Sequence, residues 1–315
     1  MIGMDGVWDS PVDSAQWNPD AYERWRKIYP EGYDVWLYED RYVLKPTPDG
    51  IEASLHELSP FASIAKPHLI VVPSTELFGF TFPLALRQRG HAAAISVAPS
   101  AIWLARRRAT RTAIAARSVA WLGGPKSVDG TLVELRTRLT PILAAGRFAI
   151  DSGAVPTECD GAELALIGSH GAQGQLKTFS HVTDREETFT PDELAATVAG
   201  SRCVILFICH SGQVDREPFT QETKGLVGSL LRRDIDCVIA APWPLDIRPA
   251  AKWLGHFLAT DPTLSVAIRA DQALAALAAA YDNHPVLRSL LTVYGDGGVV
   301  ISTTSRSRQP SAEHK

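Results

Sequence analysis

Two residues are best suited to chemistry. One is a histidine that follows an apolar run of the sequence, and the other is a cysteine that ends a second such run. His170 comes after the run 163–168, and Cys209 ends the run 203–209, the most apolar in the chain. A cysteine thiolate is a strong nucleophile, and a nearby imidazole can take its proton and later return it to a leaving amine. These residue types therefore indicate nucleophilic attack on a carbonyl group.

The surrounding elements predict that these two residues lie next to each other. Short apolar runs alternate with helical segments from residue 67 onward, which is typical of a mostly parallel sheet with helices on both faces. One predicted helix separates the two strands, with Thr190 as its N-cap and Glu193 closing a capping box. A right-handed crossover brings the carboxyl ends of such strands to one edge of the sheet. We therefore expect an α/β fold with His170 and Cys209 at that edge.

Backbone amides beside the two side chains are candidates for stabilising a transition state. Gly171 has no Cβ, so its backbone can come close to a substrate carbonyl. Its N–H group, together with that of Cys209, is predicted to form an oxyanion hole.

The cysteines also allow two interpretations other than catalysis, as core residues or as ligands of a metal ion. Cys203 and Cys237 lie inside apolar runs without a matching histidine, so we interpret them as core residues. A zinc site of His170, Cys209 and His210 is a further hypothesis, but it lacks a fourth ligand and its adjacent ligands fit a tetrahedron poorly. We therefore expect reduced thiols, no metal and no cofactor.

The composition excludes several classes of function. The chain has 315 residues, of which 45% are hydrophobic and 21% charged, enough for a large core. Its 31 basic and 35 acidic side chains give a net charge of 31 − 35 = −4, so no broad surface for nucleic acid or anionic lipid is expected. The apolar runs are too short to span a bilayer, and no signal-peptide pattern is present. We expect a cytoplasmic protein without direct nucleic-acid or membrane partners.

The pattern divides the chain into three parts. Residues 1–57 form an aromatic-rich extension with a predicted hairpin at residues 34–44, which serves as a recognition surface or as a flap on the main domain. Residues 58–302 are expected to form that domain, and residues 303–315 a disordered tail. A run of arginines in a predicted helix is interpreted as a solvated face. It consists of Arg106, Arg107, Arg108 and Arg111.

Taken together, the motifs resemble the caspase-type cysteine peptidases, and more fully the CHAT peptidases, the prokaryotic relatives of caspases and separases. The matching segments are Val72-Pro73, Phe82-Pro83-Leu84, Ala98-Pro99-Ser100, Ser169-His170-Gly171, Ile208-Cys209-His210-Ser211-Gly212 and Ala241-Pro242-Trp243-Pro244-Leu245-Asp246. The resemblance covers residues 58–301. The chain departs from the family at Phe207-Ile208, where Ser-Ala is usual, and at Pro242, where leucine is usual. It also lacks the tetratricopeptide repeats that often accompany such domains.

The resemblance implies a caspase-like three-layer α/β/α sandwich, with residues 58–155 as a half without a catalytic pair and residues 156–302 as the catalytic half. His170 would be the general base and Cys209 the nucleophile of an endopeptidase that cuts a specific protein partner, with Gly171 in the oxyanion hole. Such enzymes often act in bacterial defence or regulated cell death, for example on a gasdermin-like pore former. An activating partner protein is a further expectation.

Four more residues are predicted to contact the substrate. The resemblance brings Trp243 to the cleft as an apolar wall and Asp246 as the partner of a basic P1 side chain. Asp246 is equally suited to cap the helix that follows it. Ser169 and His210 are the other predicted contacts. The polar segment 213–224 is predicted to be a mobile loop over the site.

The sequence also allows two other functions. A catalytically silent scaffold or protein-binding module is disfavoured because both His170 and Cys209 are present. A flavodoxin-like ligand-binding domain is disfavoured because the chain has no glycine-rich phosphate loop and no acidic ribose partner. The sequence gives no indication of the oligomeric state.

Overall fold

The computed structural model describes residues 67–302 with short gaps, together with four short strands nearer the N-terminus. The gaps are residues 74–77, 79–81, 84–92, 115, 124–128, 174–178, 183–187, 213–214, 217–222, 244, 282 and 284. The predicted disordered tail, residues 303–315, lies outside the described residues, as does most of the aromatic-rich extension.

The four N-terminal strands form two antiparallel pairs. They are β1 (Ile2–Gly3) with β2 (Gly6–Val7), and β3 (Val35–Tyr38) with β4 (Arg41–Leu44). In the second pair Tyr38 lies opposite Arg41, so two residues connect the strands. The predicted hairpin is confirmed.

Eight of the remaining strands form a central sheet, and the other five form two small antiparallel sheets. In chain order they are β5 (His68–Val71), β6 (Ala94–Val97), β7 (Ser118–Leu122), β8 (Ala149–Asp151), β9 (Leu164–Gly168), β10 (His170–Gln173), β11 (Phe179–Val182), β12 (Thr188–Phe189), β13 (Cys203–Phe207), β14 (Asp215–Arg216), β15 (Thr223–Lys224), β16 (Cys237–Ala240) and β17 (Thr292–Gly295). The central sheet has the spatial order β5-β6-β17-β16-β13-β9-β7-β8. Its neighbouring strands are parallel, except that β16 and β17 are antiparallel.

Local capping explains where several helices begin. The helices of the described region are α1 (Ala101–Ala109), α2 (Gly130–Ala145), α3 (Pro191–Thr197), α4 (Leu226–Arg232), α5 (Ile247–Ala259), α6 (Val266–Ala279) and α7 (Pro285–Arg288). Ser100 starts α1, because its side chain accepts the N–H of Trp103 at 3.0 Å. Thr190 and Glu193 form the predicted capping box at the start of α3. None of the helices in the described residues is long and apolar enough to cross a membrane.

Apolar side chains cover both faces of the central sheet, so the fold has three layers. On one face Ile167 and Leu206 belong to a core cluster that includes residues of α3 and α4. On the opposite face Leu166 and Ile205 belong to a cluster with residues of α2, α5 and α6. This alternation is the period of two that a strand buried on both faces requires. The predicted α/β/α sandwich is confirmed.

The prediction that the four arginines in and after α1 form a solvated face is confirmed for Arg106, which is exposed, but is wrong for the other three. Arg107 is only 9% exposed, and its Nε lies 2.7 Å from a carboxylate oxygen of the fully buried Asp236. Arg108 donates two hydrogen bonds of 2.8 Å to Asp296. Arg111 contacts both carboxylates, at 3.1 and 2.7 Å. Two carboxylates buried at the edge of the sheet where β16 begins need these cations to offset their lost hydration.

The sequence predicts a pair of closing strands within residues 291–301, and the structure differs from this prediction. Only β17 is a strand there. After it the chain turns, and the N–H groups of Val266 and Ala267 at the start of α6 donate to the carbonyls of Val299 and Gly297, at 2.8 and 2.9 Å. These bonds to a helix terminus replace a second strand pairing.

Candidate active site

Neighbouring parallel strands bring the loops of His170 and Cys209 to the same edge of the sheet. Gly168 at the end of β9 lies opposite Phe207 at the end of β13, and each candidate residue follows two positions later. A Cβ added to Gly171 would lie 2.1 Å from the carbonyl oxygen of Cys209. Because no side chain tolerates that distance, the two loops can touch only with glycine at this position.

The ring of His170 contacts a carboxylate that the sequence analysis missed. Nε2 of His170 lies 2.9 Å from Oδ1 of Asp129, and both side chains are partly exposed. The same oxygen caps α2 by accepting the N–H groups of Thr131 and Leu132, at 2.9 and 3.0 Å. The hydrogen bond with His170, and then that from Leu132, lowers the pKa of Asp129. The carboxylate therefore stays ionised at neutral pH and holds the ring in one orientation.

One signal for Asp129 was present in the sequence. It is an aspartate directly before a helix, which is a typical N-cap, and this helix follows a strand of the predicted sheet. Helices that follow parallel strands begin at the carboxyl edge, where the candidate site was expected. The missing information was that β7 lies beside β9.

The thiol of Cys209 is partly exposed and contacts the loop after β16. The N–H of Leu245 donates to Sγ at 3.4 Å, and Sγ lies 3.9 Å from the carbonyl oxygen of Leu245. Burial raises the pKa of Cys209, the Leu245 amide opposes this rise, and the Asp246 carboxylate adds to it. The thiol is therefore protonated at neutral pH and needs a base before it can react.

The other cysteines are buried, which confirms the interpretation of Cys203 and Cys237 as core residues. These two lie opposite each other in β13 and β16 and are fully buried. Burial also raises the pKa of Cys159 to about 12. In the part of the chain that the structure describes, no three His, Cys, Asp or Glu side chains are grouped so that they could hold a metal ion.

The predicted substrate contacts differ in their exposure. Trp243 is 3% exposed and belongs to the core, and Ser169 is 8% exposed. His210 and Asp246 are partly exposed. The Asp246 carboxylate accepts the N–H of Arg248 at 2.8 Å, so its expected capping of α5 is confirmed. The substrate contacts of all four residues stay predictions.

The chain segments that follow β9 and β13 form two small antiparallel sheets. His170 begins β10, which pairs with β11, so the predicted strand 163–171 is divided between two sheets. Strands β14 and β15 pair within the segment predicted to be a mobile loop. Residues 213–214 and 217–222 of that segment lie outside the described residues, as do residues 183–187 between β11 and β12.

Comparison with solved structures identifies the type of fold. The chain is similar to Porphyromonas gingivalis RgpB in a complex of its pro- and mature domains, with a TM-score of 0.51 and 12% identity, over 82% of this chain and 70% of that chain. It is also similar to the Saccharomyces cerevisiae separase–securin complex, with a TM-score of 0.51 and 13% identity, over 72% of this chain and 16% of that chain. The fold is caspase-like. Another structure of RgpB, described as the Arg-specific cysteine proteinase gingipain R, aligns with a TM-score of 0.49 and 12% identity over 82% of this chain and 69% of that chain.

Sequence comparison adds no closer relative. No protein-family profile and no curated protein matches the chain. The similarity is therefore to solved structures alone. At identities of 12 to 14%, this similarity shows the fold alone, and the activity has to be argued from the site.

Proposed function

We propose that the chain is a cysteine endopeptidase of CHAT type, with Cys209 as its nucleophile and His170 as its general base. The observation that carries the proposal is the contact between the loops of these residues, which the absence of a side chain at Gly171 permits. Of the four cysteines, Cys209 is the one that is not buried. The caspase-like fold supports the same class of reaction.

In the proposed reaction His170 first removes the proton of the thiol. Asp129 holds Nε2 of the ring, which leaves Nδ1 to accept that proton. The thiolate of Cys209 then attacks the scissile carbonyl, and the N–H groups of Gly171 and Cys209 stabilise the oxyanion that forms. The imidazolium protonates the leaving amine, and water, deprotonated by the same ring, hydrolyses the thioester.

The substrate in this proposal is a specific protein partner. Asp246 pairs with a basic P1 side chain while it caps α5, and Trp243 forms the apolar wall of the same pocket. Ser169 and His210 are the other proposed contacts with the peptide. A role in bacterial defence or cell death, with a gasdermin-like substrate and an activating partner protein, follows from the CHAT-type assignment.

The test compares the wild type with Cys209→Ala and His170→Ala on a proteome-derived peptide library, with new termini identified by mass spectrometry. We expect each variant to lose about three orders of magnitude or more of the cleavage rate. Cys203→Ala, which removes a thiol from the core, is the matched control and keeps the activity. Equal cleavage by Cys209→Ala would refute the assignment.

The same library tests the pocket. A dominant basic P1 residue supports Asp246 as its partner, and Asp246→Asn should then weaken the preference while still capping α5. A P1 preference that Asp246→Asn leaves unchanged would contradict this part of the proposal.

A further inference from the structure

Tyr294 lies beneath the turn that follows Cys209, and the proposed reaction does not use it. It belongs to β17 and is 1% exposed, and its hydroxyl donates to the carbonyl of Gly212 at 3.1 Å. Burial raises the pKa of Tyr294 far above its ordinary value. The hydroxyl therefore keeps its proton and stays a hydrogen-bond donor at neutral pH.

Gly212 is enclosed by Tyr294 on one side and by the end of β16 on the other. Its N–H donates to the carbonyl of Ala241 at 2.7 Å. A Cβ added to Gly212 would lie 2.8 Å from the Tyr294 hydroxyl and 3.1 Å from the Ala241 carbonyl oxygen. A side chain larger than hydrogen therefore does not fit at this position without displacing one of these partners.

Hydrogen bonds also fix the two residues between Cys209 and Gly212. His210 adopts φ +57°, which is uncommon outside glycine, and its N–H donates to the carbonyl of Trp243 at 3.1 Å. The hydroxyl of Ser211 accepts the N–H of Ala241 at 3.1 Å. These contacts all come from β16 and its loop, whereas Tyr294 supports the turn from a different strand.

We propose that Tyr294 is a positioning residue that sets the place of the Cys209 thiol by holding the carbonyl of Gly212. Without the hydroxyl, a buried carbonyl loses its donor and the turn can rotate about its contacts with β16. The thiol then departs from its place beside Leu245. The effect on peptide cleavage rests on the proposed function, but the effect on thiol reactivity does not.

The first experiment uses Tyr294→Phe, which removes one oxygen and keeps the ring. We expect kcat to fall by about tenfold to a hundredfold with KM nearly unchanged, because a small misplacement of a reacting group is costly. Loss of a single hydrogen bond should lower Tm by only about 2–4 °C. Tyr281→Phe is the matched control, because Tyr281 is partly exposed just after α6 and its hydroxyl accepts a hydrogen bond from Lys252 of α5.

A second measurement needs no substrate. Iodoacetamide forms a thioether with the Cys209 sulfur and releases iodide, and its rate at this residue is followed by mass spectrometry as a function of pH. In Tyr294→Phe we expect the alkylation rate to change by about threefold or more, or its pH midpoint to shift by about half a pH unit or more, since both depend on the surroundings of the thiol. Tyr281→Phe should match the wild type.

A double-mutant cycle tests the contact from its other side. Gly212→Ala pushes a methyl group against the Tyr294 hydroxyl and should also reduce kcat. Combined with Tyr294→Phe its effect should be less than additive, because removing the hydroxyl opens space for the methyl group. Should Tyr294→Phe fail to fold, Gly212→Ala alone still tests the geometry of the turn through alkylation.

The outcomes separate this proposal from the proposed function. Wild-type kcat and wild-type alkylation in Tyr294→Phe, or in Gly212→Ala where only that variant folds, would overturn the role of Tyr294. A wild-type protein that cleaves no peptide, together with altered alkylation in Tyr294→Phe, would support the positioning role and leave the peptidase assignment without support.

Discussion

Asp129 shares one carboxylate oxygen between the backbone of α2 and the ring of His170. A residue that caps a helix is held by that helix, so its side chain cannot follow the imidazole if the ring rotates. The start of α2 therefore supplies a fixed reference for the orientation of His170. The imidazolium formed during the proposed reaction would also be stabilised by this ionised carboxylate.

Asp129→Asn separates these two tasks. Asparagine caps a helix as well as aspartate does, so Tm should stay within about 2 °C of the wild type. The amide carries no charge to hold the imidazolium, and we expect kcat to fall by about two to four orders of magnitude. Steady-state kinetics and thermal unfolding check both expectations. An Asn variant with wild-type kcat would show that Asp129 serves the helix alone.

At this scale the sequence was sufficient to place His170 and Cys209 at one edge of the sheet, because each comes two residues after the end of an apolar strand. It was insufficient for Asp129, because the contact with His170 depends on β7 lying beside β9. Local periodicity carries no information on the order of strands in a sheet. The burial of Trp243 has the same origin, since it is decided by packing against distant elements.

At the scale of elements, Gly171 determines whether the segment after β9 can contact the segment after β13. Gly171→Ala would bring a methyl group to 2.1 Å from the Cys209 carbonyl oxygen, so the loops must separate. We expect loss of peptidase activity and a decrease of about 1–3 kcal/mol in the free energy of unfolding. Kinetics and urea unfolding measure the two effects.

Gly255→Ala is the control for this substitution. Gly255 lies within α5, and an added Cβ would meet nothing within 4 Å. Alanine there should raise the free energy of unfolding by up to about 1 kcal/mol and leave kcat unchanged. If Gly171→Ala behaved in the same way, the close approach of the two loops would be contradicted.

The elements themselves were largely predictable, because capping residues and apolar runs are local. The error at α1 shows where local reasoning ends. Arg108 and Arg111 look solvated on a helix pattern, but their partner Asp296 lies 188 and 185 residues further along the chain. The periodicity of a helix shows which residues share a face, but it does not show which other part of the chain packs against that face.

For the whole molecule, His68 predicts how stability depends on pH. Its Nε2 lies 2.9 Å from the hydroxyl of Ser96. Burial lowers the pKa of His68 from 6.5 to about 4; Asp296 opposes this change and Arg108 adds to it. As the pH falls below 6.5, the unfolded chain binds a proton that the folded chain does not, so the stability decreases until the pH reaches about 4.

This effect should remove about 1–3 kcal/mol from the free energy of unfolding between these pH values. Urea unfolding at pH 7, 5.5 and 4.5 measures it. His68→Gln does not titrate and can still hydrogen-bond to Ser96, so its stability should depend less on pH. An unchanged pH dependence in this variant would rule out His68 as the source.

The position of β17 in the sheet also determines when the protein can finish folding. β17 joins β6 to β16, and it is the last strand of the described chain. During synthesis on a ribosome the two groups of strands therefore stay separate until residue 295 has emerged, with one edge of each unpaired. Long-range pairings of this kind are slow to form, and unpaired edges invite aggregation in the meantime. Tyr294 reaches Gly212 only in that final step, so under the proposed positioning role the turn after Cys209 is not held in a nascent chain until its sheet is closed.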